Sequence, residues 1–341
     1  MSRRIYIEIN NTCNLSCNFC PYPLIKGKKE NMSIENIKKI LADIKNNIDY
    51  RIVYFHNLNE PLLHPDIDLV FEFCDNNNIV YGLTTNGLLL DKHLEAIKNS
   101  NMSELNISYQ VGDELANRKR GNKLSVAEYR KYLVENLKKI ATSFKGEIKI
   151  KLLITNDKSI FNNQLINGFS SHKEIVAEVN AFYVMFTGKE LSSEQVDKLY
   201  ELDITEFCKI NLYSNVYIEL FPFLTWGNFY EPVIPAKYGS CDGINGQLQI
   251  KVDGSVSPCC YDFNSCLSLG NAIEKKISEI MQSEKYLQMK KEIEQKTVNN
   301  ERCRICLGAL TKEKLIENEK IFLENYELEK RFVFSNKTLY L

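Results

Sequence analysis

IYIEINNTCNLSCNFC, residues 5–20, runs from an apolar run straight into three cysteines, Cys13, Cys17 and Cys20, at offsets of four and three. Ile5 to Ile9 alternates apolar with polar and reads as a β-strand. The loop behind such a strand lies at its carboxyl end, where α/β proteins build their sites. A loop of this spacing can wrap three thiolates around one face of a cubane. Thiolates are the ordinary ligands of iron–sulfur clusters, and a cubane has four irons, so three cysteines leave one iron with an open position. A centre kept one ligand short is a reactive one, as in catalytic zinc sites that hold a place for substrate. A structural zinc site is the alternative, but it asks for a fourth Cys or His close by, and the nearest histidine is His56.

The 341-residue chain is long enough for one or two domains with a sizeable core. Its net charge of −1, with acidic and basic residues evenly mixed, provides no field for recruiting nucleic acid or an anionic membrane. The opening MSRRIYIEINNTC lacks the apolar core of a secretory signal, and no later stretch approaches the ~18 apolar residues of a membrane span, so the chain reads as cytoplasmic. Eleven cysteines in a reducing compartment, odd in number and clustered, point to metal or cluster ligation rather than disulfides.

From Ile5 to about Asn156 short strands alternate with helical patterns, the mark of repeated βα units on a parallel sheet. Expected strands are Ile5–Ile9, Ile52–Phe55, Ile79–Thr84, Leu105–Ser108 and Ile148–Ile154, with Val216–Leu220 as a sixth. Expected helices follow Ser33 and cover Ile67–Cys74, Asp91–Lys98 and Ser125–Ile140, while Lys158–Lys209 reads as helical with weak patterning. The fold class is therefore α/β, a partial (β/α)6 barrel over residues 1–221, short of the eight units of a closed barrel. Residues 222–240 are aromatic and turn-rich and read as a bridge. Beyond Cys241 the pattern turns antiparallel: Leu248, Ile250 and Val252 alternate up to Asp253-Gly254, a two-residue type I′ hairpin signal, and Val256 begins the return. A helix is expected over Ile273–Ile293, giving a small hairpin-and-helix domain over 241–310, and residues 311–341 read as a charged helix and tail.

CNLSCNFC resembles the CxxxCxxC signature of radical S-adenosylmethionine (SAM) enzymes, including an aromatic residue, Phe19, before the last cysteine. The resemblance implies a [4Fe–4S] cluster on Cys13, Cys17 and Cys20 whose open iron chelates SAM, which is reductively cleaved to a 5′-deoxyadenosyl radical. Further matches extend over about the first 155 residues. Asn59-Glu60-Pro61 resembles the family's Gly-Gly-Glu-Pro segment, which holds the SAM ammonium; Glu60 keeps the charge while Leu58 and Asn59 replace the glycines. Thr84-Thr85-Asn86-Gly87 resembles the family's TNG at the end of the third strand. Ser108 stands where the family has a serine near the SAM ribose or carboxylate, and Arg120-Gly121 resembles the Arg-Gly that pairs with that carboxylate; Gln110 replaces a common aspartate. Phe19, Asn59, Glu60, Thr85, Ser108 and Arg120 are thus the implied SAM contacts.

Cys241, Cys259, Cys303 and Cys306 form a second set, the last two in the CxxC of CRIC. Their layout resembles the twitch domain, the shortened SPASM domain, and implies one auxiliary [4Fe–4S] cluster. A four-cysteine zinc ribbon follows the same CxxC logic. Cys260 and Cys266 flank the set as substitute ligands, and Cys74 and Cys208 read as packed thiols. Four thiolates saturate a cluster, which suits it to electron transfer and suggests net oxidation. The leading expectation is an oxidoreductase acting on an unactivated C–H bond, since twitch-bearing relatives of this layout oxidise a sugar or cyclitol alcohol to a ketone. The implied reductant is a flavodoxin or ferredoxin, with no nucleic-acid or membrane partner. Maturation of a ribosomally made peptide is the second expectation; the dozen residues ahead of Cys13 are too few for the leader-binding module that many such enzymes carry. A non-catalytic zinc or redox module is the third. The proton acceptor cannot be named from the sequence.

Overall fold

The computed structural model describes residues 2–25, 27–155, 168–204, 206–222, 226–229, 232–324 and 338–341. Parts of three expected segments, residues 158–167 and 205 of the helical stretch, 223–225 and 230–231 of the bridge and 325–337 of the tail, lie outside them. In chain order the strands are β1 (Arg3–Ile7), β2 (Tyr50–Tyr54), β3 (Tyr81–Thr85), β4 (Glu104–Ile107), β5 (Glu147–Ile154), β6 (Cys208–Tyr213), β7 (Val216–Pro222), β8 (Gln247–Ile250), β9 (Ser255–Ser257), β10 (Gly270–Asn271) and β11 (Thr338–Tyr340).

These elements fall into two compact units, each drawing on more than one stretch of chain. One comprises the described residues of Met1–Asn11, Leu24–Asn59 and Leu224–Val333; the other, those of Thr12–Pro23, Glu60–Phe223 and Phe334–Leu341. In the first unit β1 pairs in parallel with both β2 and β8, and β8, β9 and β10 continue antiparallel. In the second, β3, β4, β5 and β7 pair in parallel in that order, β6 adds antiparallel to β7, and β11 lies parallel to β6. The class is α/β with mostly parallel pairing.

Two-residue alternation explains why these segments are strands and not helices. In β5, EIKIKLLI, Ile148, Ile150 and Leu152 are fully buried, as are their partners Leu105, Ile107, Ile218 and Leu220. The opposite face carries Asn106, Lys149, Lys151, Tyr217 and Glu219. The first unit repeats the pattern, with Ile5, Ile7, Val53, Leu248 and Ile250 at zero exposure and Tyr6, Glu8, Tyr54, Gln249 and Lys251 on the alternate positions. Serine caps start the helices. Ser33 accepts the Asn36 N–H at 3.3 Å to open Ile34–Asn47, and full capping boxes open Val126–Ala141 (Ser125, Glu128) and His172–Thr187 (Ser171, Glu174). Gly188, at φ +76°, ends the last of these in the left-handed conformation that suits glycine.

Four expectations are corrected. The weakly patterned stretch before residue 209 holds helices His172–Thr187 and Ser193–Tyr200 but ends in β6, which turns back on β7 through Ser214 at φ +47°. The chain end is a strand, Thr338–Tyr340, where a tail was expected. The helix expected over Ile273–Ile293 is two, Ile277–Ile280 and Glu284–Glu294, because the Ser283 hydroxyl accepts the Tyr286 N–H and starts a new one. The hairpin is not a two-residue type I′ turn. Lys251 bonds Ser255 on one side and accepts from Gly254 on the other, leaving a three-residue loop in which only Gly254 has positive φ, +84°.

Near the start of β5, Lys149 pairs with Glu104 and with Glu147 (3.3 Å), and Lys209 pairs with Glu147 at 2.8 Å. Burial works to raise the Glu147 carboxyl, but the hydrogen bond from Lys209 and the charges of Lys149 and Lys209 outweigh it and hold the group below the usual 4.5. A carboxylate depressed in the folded state stabilises above its unfolded pKa and loses that contribution as pH falls through the folded one. Glu147→Gln should therefore lower stability near neutral pH and flatten the acid limb of a stability-against-pH curve below about pH 4.5, measured by urea unfolding; an acid limb as steep as the wild type's would remove the contribution.

Candidate functional site

The loop Thr12–Pro23 is shaped by backbone bonds to the turn around Arg120. The Ser16 N–H donates to the Arg120 carbonyl at 3.0 Å and the Asn18 N–H to that of Lys119 at 3.1 Å. Gly121, at φ +77°, permits this approach: a Cβ there would stand 2.6 Å from Ser16 Oγ. Within the loop the Cys20 N–H bonds the Cys17 carbonyl at 3.0 Å, and the Cys13 N–H donates to Tyr22 Oη at 3.0 Å. Cys13, Cys17 and Cys20 are all half-buried, and burial foremost pushes the Cys13 and Cys20 thiols up to about 12. Phe19 beside them is buried.

Glu60 is 1% exposed and organises the neighbouring turns. One carboxylate oxygen accepts Thr85 Oγ1–H at 2.7 Å and the Leu62 N–H at 3.2 Å; the other accepts the Asn86 N–H at 2.7 Å. Burial raises its pKa against these bonds. Asn86 in turn donates to Asn14 Oδ1 at 2.7 Å, joining the TNG turn to the cysteine loop, and Tyr129 donates to the Asn86 carbonyl. The chain thus brings Cys13, Cys17, Cys20, Glu60, Thr85 and Arg120 into one connected network. Asn14 and Tyr129 belong to it as well, and only Asn14, inside the cysteine motif, had a sequence signal.

Two of the implied SAM contacts also hold backbone. The Arg120 guanidinium, 2% exposed, donates to the carbonyls of Ser108 (2.6 Å) and Tyr109, and its charge also bears on Cys17 and Tyr129. Asn59, in the other unit, donates to Asn10 Oδ1 (2.7 Å) and the Phe55 carbonyl and accepts the Asn57 N–H, which fixes its own loop. Ser108 ends β4 half-buried, and its hydroxyl has no hydrogen-bond partner among the described residues.

The second cysteine set lies in the first unit. Burial foremost raises all four thiols, Cys303 to about 12 and Cys306 to about 11. The charges of Cys241 and Cys306 bear on both Cys259 and Cys303, so these two link the set. Glycines keep the space around them clear. A Cβ on Gly243 would approach Cys241 Sγ to 3.2 Å and Cys259 Cβ to 3.5 Å, and one on Gly227 would come within 2.8 Å of Cys306 Sγ. Trp226, Gly227 and Asn228 all have positive φ, and this left-handed turn lies over the CRIC helix. Arg302 grips the carbonyls of Gly227 (2.8 Å), Trp226 (2.9 Å) and Tyr261 (3.1 Å), while Asn228 Nδ2 donates to those of Ile305 and Cys306 at 3.1 Å each. The bridge thereby covers Cys306, a role with no sequence signal beyond its Gly-Asn pair. Cys260 donates to Gln247 Oε1 at 3.4 Å and lies in charge reach of Cys259 and Cys306; Cys266 is exposed; Cys74 and Cys208 are buried.

Among the described residues no three Cys, His, Asp or Glu side chains converge tightly enough for a single metal ion. A cubane asks for wider spacing, because each thiolate takes its own iron. Three half-buried thiols on one loop, and four thiols in a glycine-cleared cradle, fit an open and a saturated cluster respectively. Among the described residues no helix is long and apolar enough to cross a membrane.

Comparison with known proteins agrees. The radical SAM superfamily model matches residues 7–155, and the SPASM iron–sulfur cluster-binding domain model matches residues 241–307, together more than half of the chain. GTP 3′,8-cyclase of Aliarcobacter butzleri is 24% identical over 81% of this chain and 85% of its own. The tungsten-containing aldehyde ferredoxin oxidoreductase cofactor-modifying protein of Pyrococcus furiosus is 25% identical over 83% of this chain and 81% of its own. The structure of SuiB of Streptococcus suis bound to S-adenosylmethionine shares the fold at a TM-score of 0.56 and 18% identity, covering 85% of this chain and 68% of that one. The chain belongs to the radical SAM superfamily of enzymes, with a [4Fe–4S] cluster and S-adenosylmethionine in its radical SAM domain and an auxiliary iron–sulfur cluster in its SPASM domain.

Proposed function

We propose that the protein is a radical SAM oxidoreductase that removes a hydrogen atom from an unactivated C–H bond of a polar small molecule, a sugar or cyclitol alcohol, and then a proton and an electron from the resulting radical. The observation that carries this reading is the second thiol set: four cysteines, Cys241, Cys259, Cys303 and Cys306, saturate a cluster that then has no free iron for substrate and is suited to electron transfer. When bound, the SAM-site group supplies hydrogen-atom abstraction and the auxiliary group accepts the electron left behind. Cys13, Cys17 and Cys20 hold the first. Phe19 walls that loop, Glu60 and Thr85 set the turn that faces the SAM ammonium, and the Ser108 hydroxyl is free to meet the ribose or carboxylate. Asn59 and Arg120 act by holding backbone, Asn59 for the loop before Glu60 and Arg120 for the end of β4. Arg302 and Asn228 keep the cover over Cys306 in place, excluding water from the auxiliary centre. A flavodoxin or ferredoxin of the cytoplasm delivers the reducing electron.

Cys13→Ala, Cys17→Ala or Cys20→Ala should abolish 5′-deoxyadenosine formation under dithionite. Cys303→Ala should spare that cleavage and block ketone formation; full turnover in this variant would remove the electron-acceptor role. Iron analysis of the anaerobically reconstituted protein should give about eight irons per chain, as two cubanes require. Gly227→Ala, which adds a Cβ both at positive φ and against Cys306 Sγ, should lower that to about four while leaving SAM cleavage intact. A peptide crosslink in place of a ketone, detected by mass spectrometry with a candidate precursor, would replace the oxidoreductase reading with peptide maturation.

A further inference from the structure

The polar face of the second unit contains two groups of charges, and they differ in how fully they are satisfied. At the start of β5, Lys149 pairs with Glu104 and Glu147, and Lys209 with Glu147, and the charge of Glu219 also reaches Lys149. One step further along, Lys151 meets only Glu219, at 3.3 Å, longer than the ~2.8 Å of a charge-assisted bond. The pair is only partly buried, with side-chain exposures of 20% and 12%. Glu219 uses Oε2 here and its charge also reaches Lys149, while its Oε1 accepts no hydrogen bond among the described residues. An ammonium has three donors, and Lys151 directs one of them at Glu219. A half-buried ion pair is weak evidence of a stabilising role, so spare capacity on both members needs another reason.

The surroundings supply it. Ser108 follows β4 one position past the Ile107–Ile150 pair, level with Lys151, which puts the residue proposed to meet SAM beside the pair. Gln110 is held at φ +52°, which is costly for a side chain larger than glycine, by its N–H bond to the Lys151 carbonyl at 2.9 Å. Its amide likewise has no partner among the described residues. Phe221 lies on the same strand as Glu219, with Lys151 Nζ 5.3 Å from its ring centroid and Phe207 edge-on at 5.2 Å. Gln110 follows the carboxyl end of β4, where such folds bind their ligands, and Lys151, Glu219 and Phe221 share the polar face of β5 and β7, the first two midway along their strands.

We propose that Lys151, Glu219, Gln110 and Phe221 form the subsite that selects the substrate, and that it takes an uncharged polyhydroxylated ring. The pair is neutral overall, so a charged ligand would leave one member opposed by like charge, whereas neighbouring hydroxyls can accept from Lys151 and donate to the free oxygen of Glu219. Gln110 offers one further donor and acceptor, and the Phe221 ring packs the C–H face of a sugar or cyclitol. This deepens the oxidoreductase reading and rests on it for the class of substrate.

The test is saturation-transfer NMR on the anaerobically reconstituted enzyme with SAM bound, using myo-inositol, scyllo-inositol and D-glucose as probes and cyclohexanol as the control. At least one polyol should bind and cyclohexanol should not. Lys151→Met and Glu219→Gln should each weaken polyol binding about tenfold to hundredfold, the scale of one hydrogen bond to a charged group. Phe221→Leu, which keeps the pair, should weaken it as well and serves if the charge variants lose their iron. Binding of no polyol, or wild-type affinity in the variants, overturns the subsite. Ketone formation is read separately. Polyol binding without oxidation leaves the subsite standing and removes the oxidoreductase reading, and oxidation that is indifferent to Lys151 and Glu219 does the reverse.

Discussion

The structure depends on strands whose two faces obey different rules. Along β5 the isoleucines and Leu152 are fully buried while Lys149 and Lys151 stand on the alternate positions. Burying one face contributes most of the stability, on the order of 1.5–3 kcal/mol for each large apolar side chain fully removed from water. The other face can then carry charge without weakening the core. Were the register of β5 to slip by one residue, its lysines would enter the core and the sheet would be lost before any chemistry was affected. Stability and reactivity are thereby assigned to opposite sides of the same short segments.

The cysteine loop shows how such a scaffold holds a reactive group. A loop carrying three thiols has no regular hydrogen bonding of its own, yet its backbone groups must be satisfied. The carbonyls of Lys119 and Arg120 take the N–H groups of Asn18 and Ser16, and Arg120 in turn is fastened to the end of β4. Each part of the loop is thus referred to a strand end through one or two bonds. The auxiliary region repeats the device with Arg302, whose guanidinium joins three carbonyls across the turn that covers Cys306. Arginine suits both tasks because its planar fork bridges several oxygens and its charge does not depend on pH.

Much of this was legible in the sequence, for identifiable reasons. Alternation and serine caps located β1 to β5 and the main helices to within a few residues, because both signals are local. The thiol spacings and the Asn-Gly turn after β3 pointed to the site for the same reason. The misses are non-local or subtle. The β6–β7 hairpin turns through Ser214 without glycine, so nothing in Tyr213–Val216 announced it. The break after Ile280 depends on one serine choosing to cap rather than continue a helix. The bonds of Arg120 to the carbonyls of Ser108 and Tyr109 depend on its burial, and burial is a property of the packed chain. The bridge around Trp226 acquires its role only when Arg302, 76 residues away in sequence, reaches it.

The buried cysteines also set the conditions under which the enzyme can be assembled. Thiols held near 11 to 12 carry their hydrogens at neutral pH, yet iron is bound by the sulfur anion. Building each cubane therefore discharges several hydrogen ions to the medium, and the uptake of iron and sulfide is in direct competition with acid. Mildly alkaline buffer favours maturation of the empty polypeptide, and acidification favours its loss, because the interior that later shields the finished clusters is the same one that makes their sulfurs reluctant to ionise.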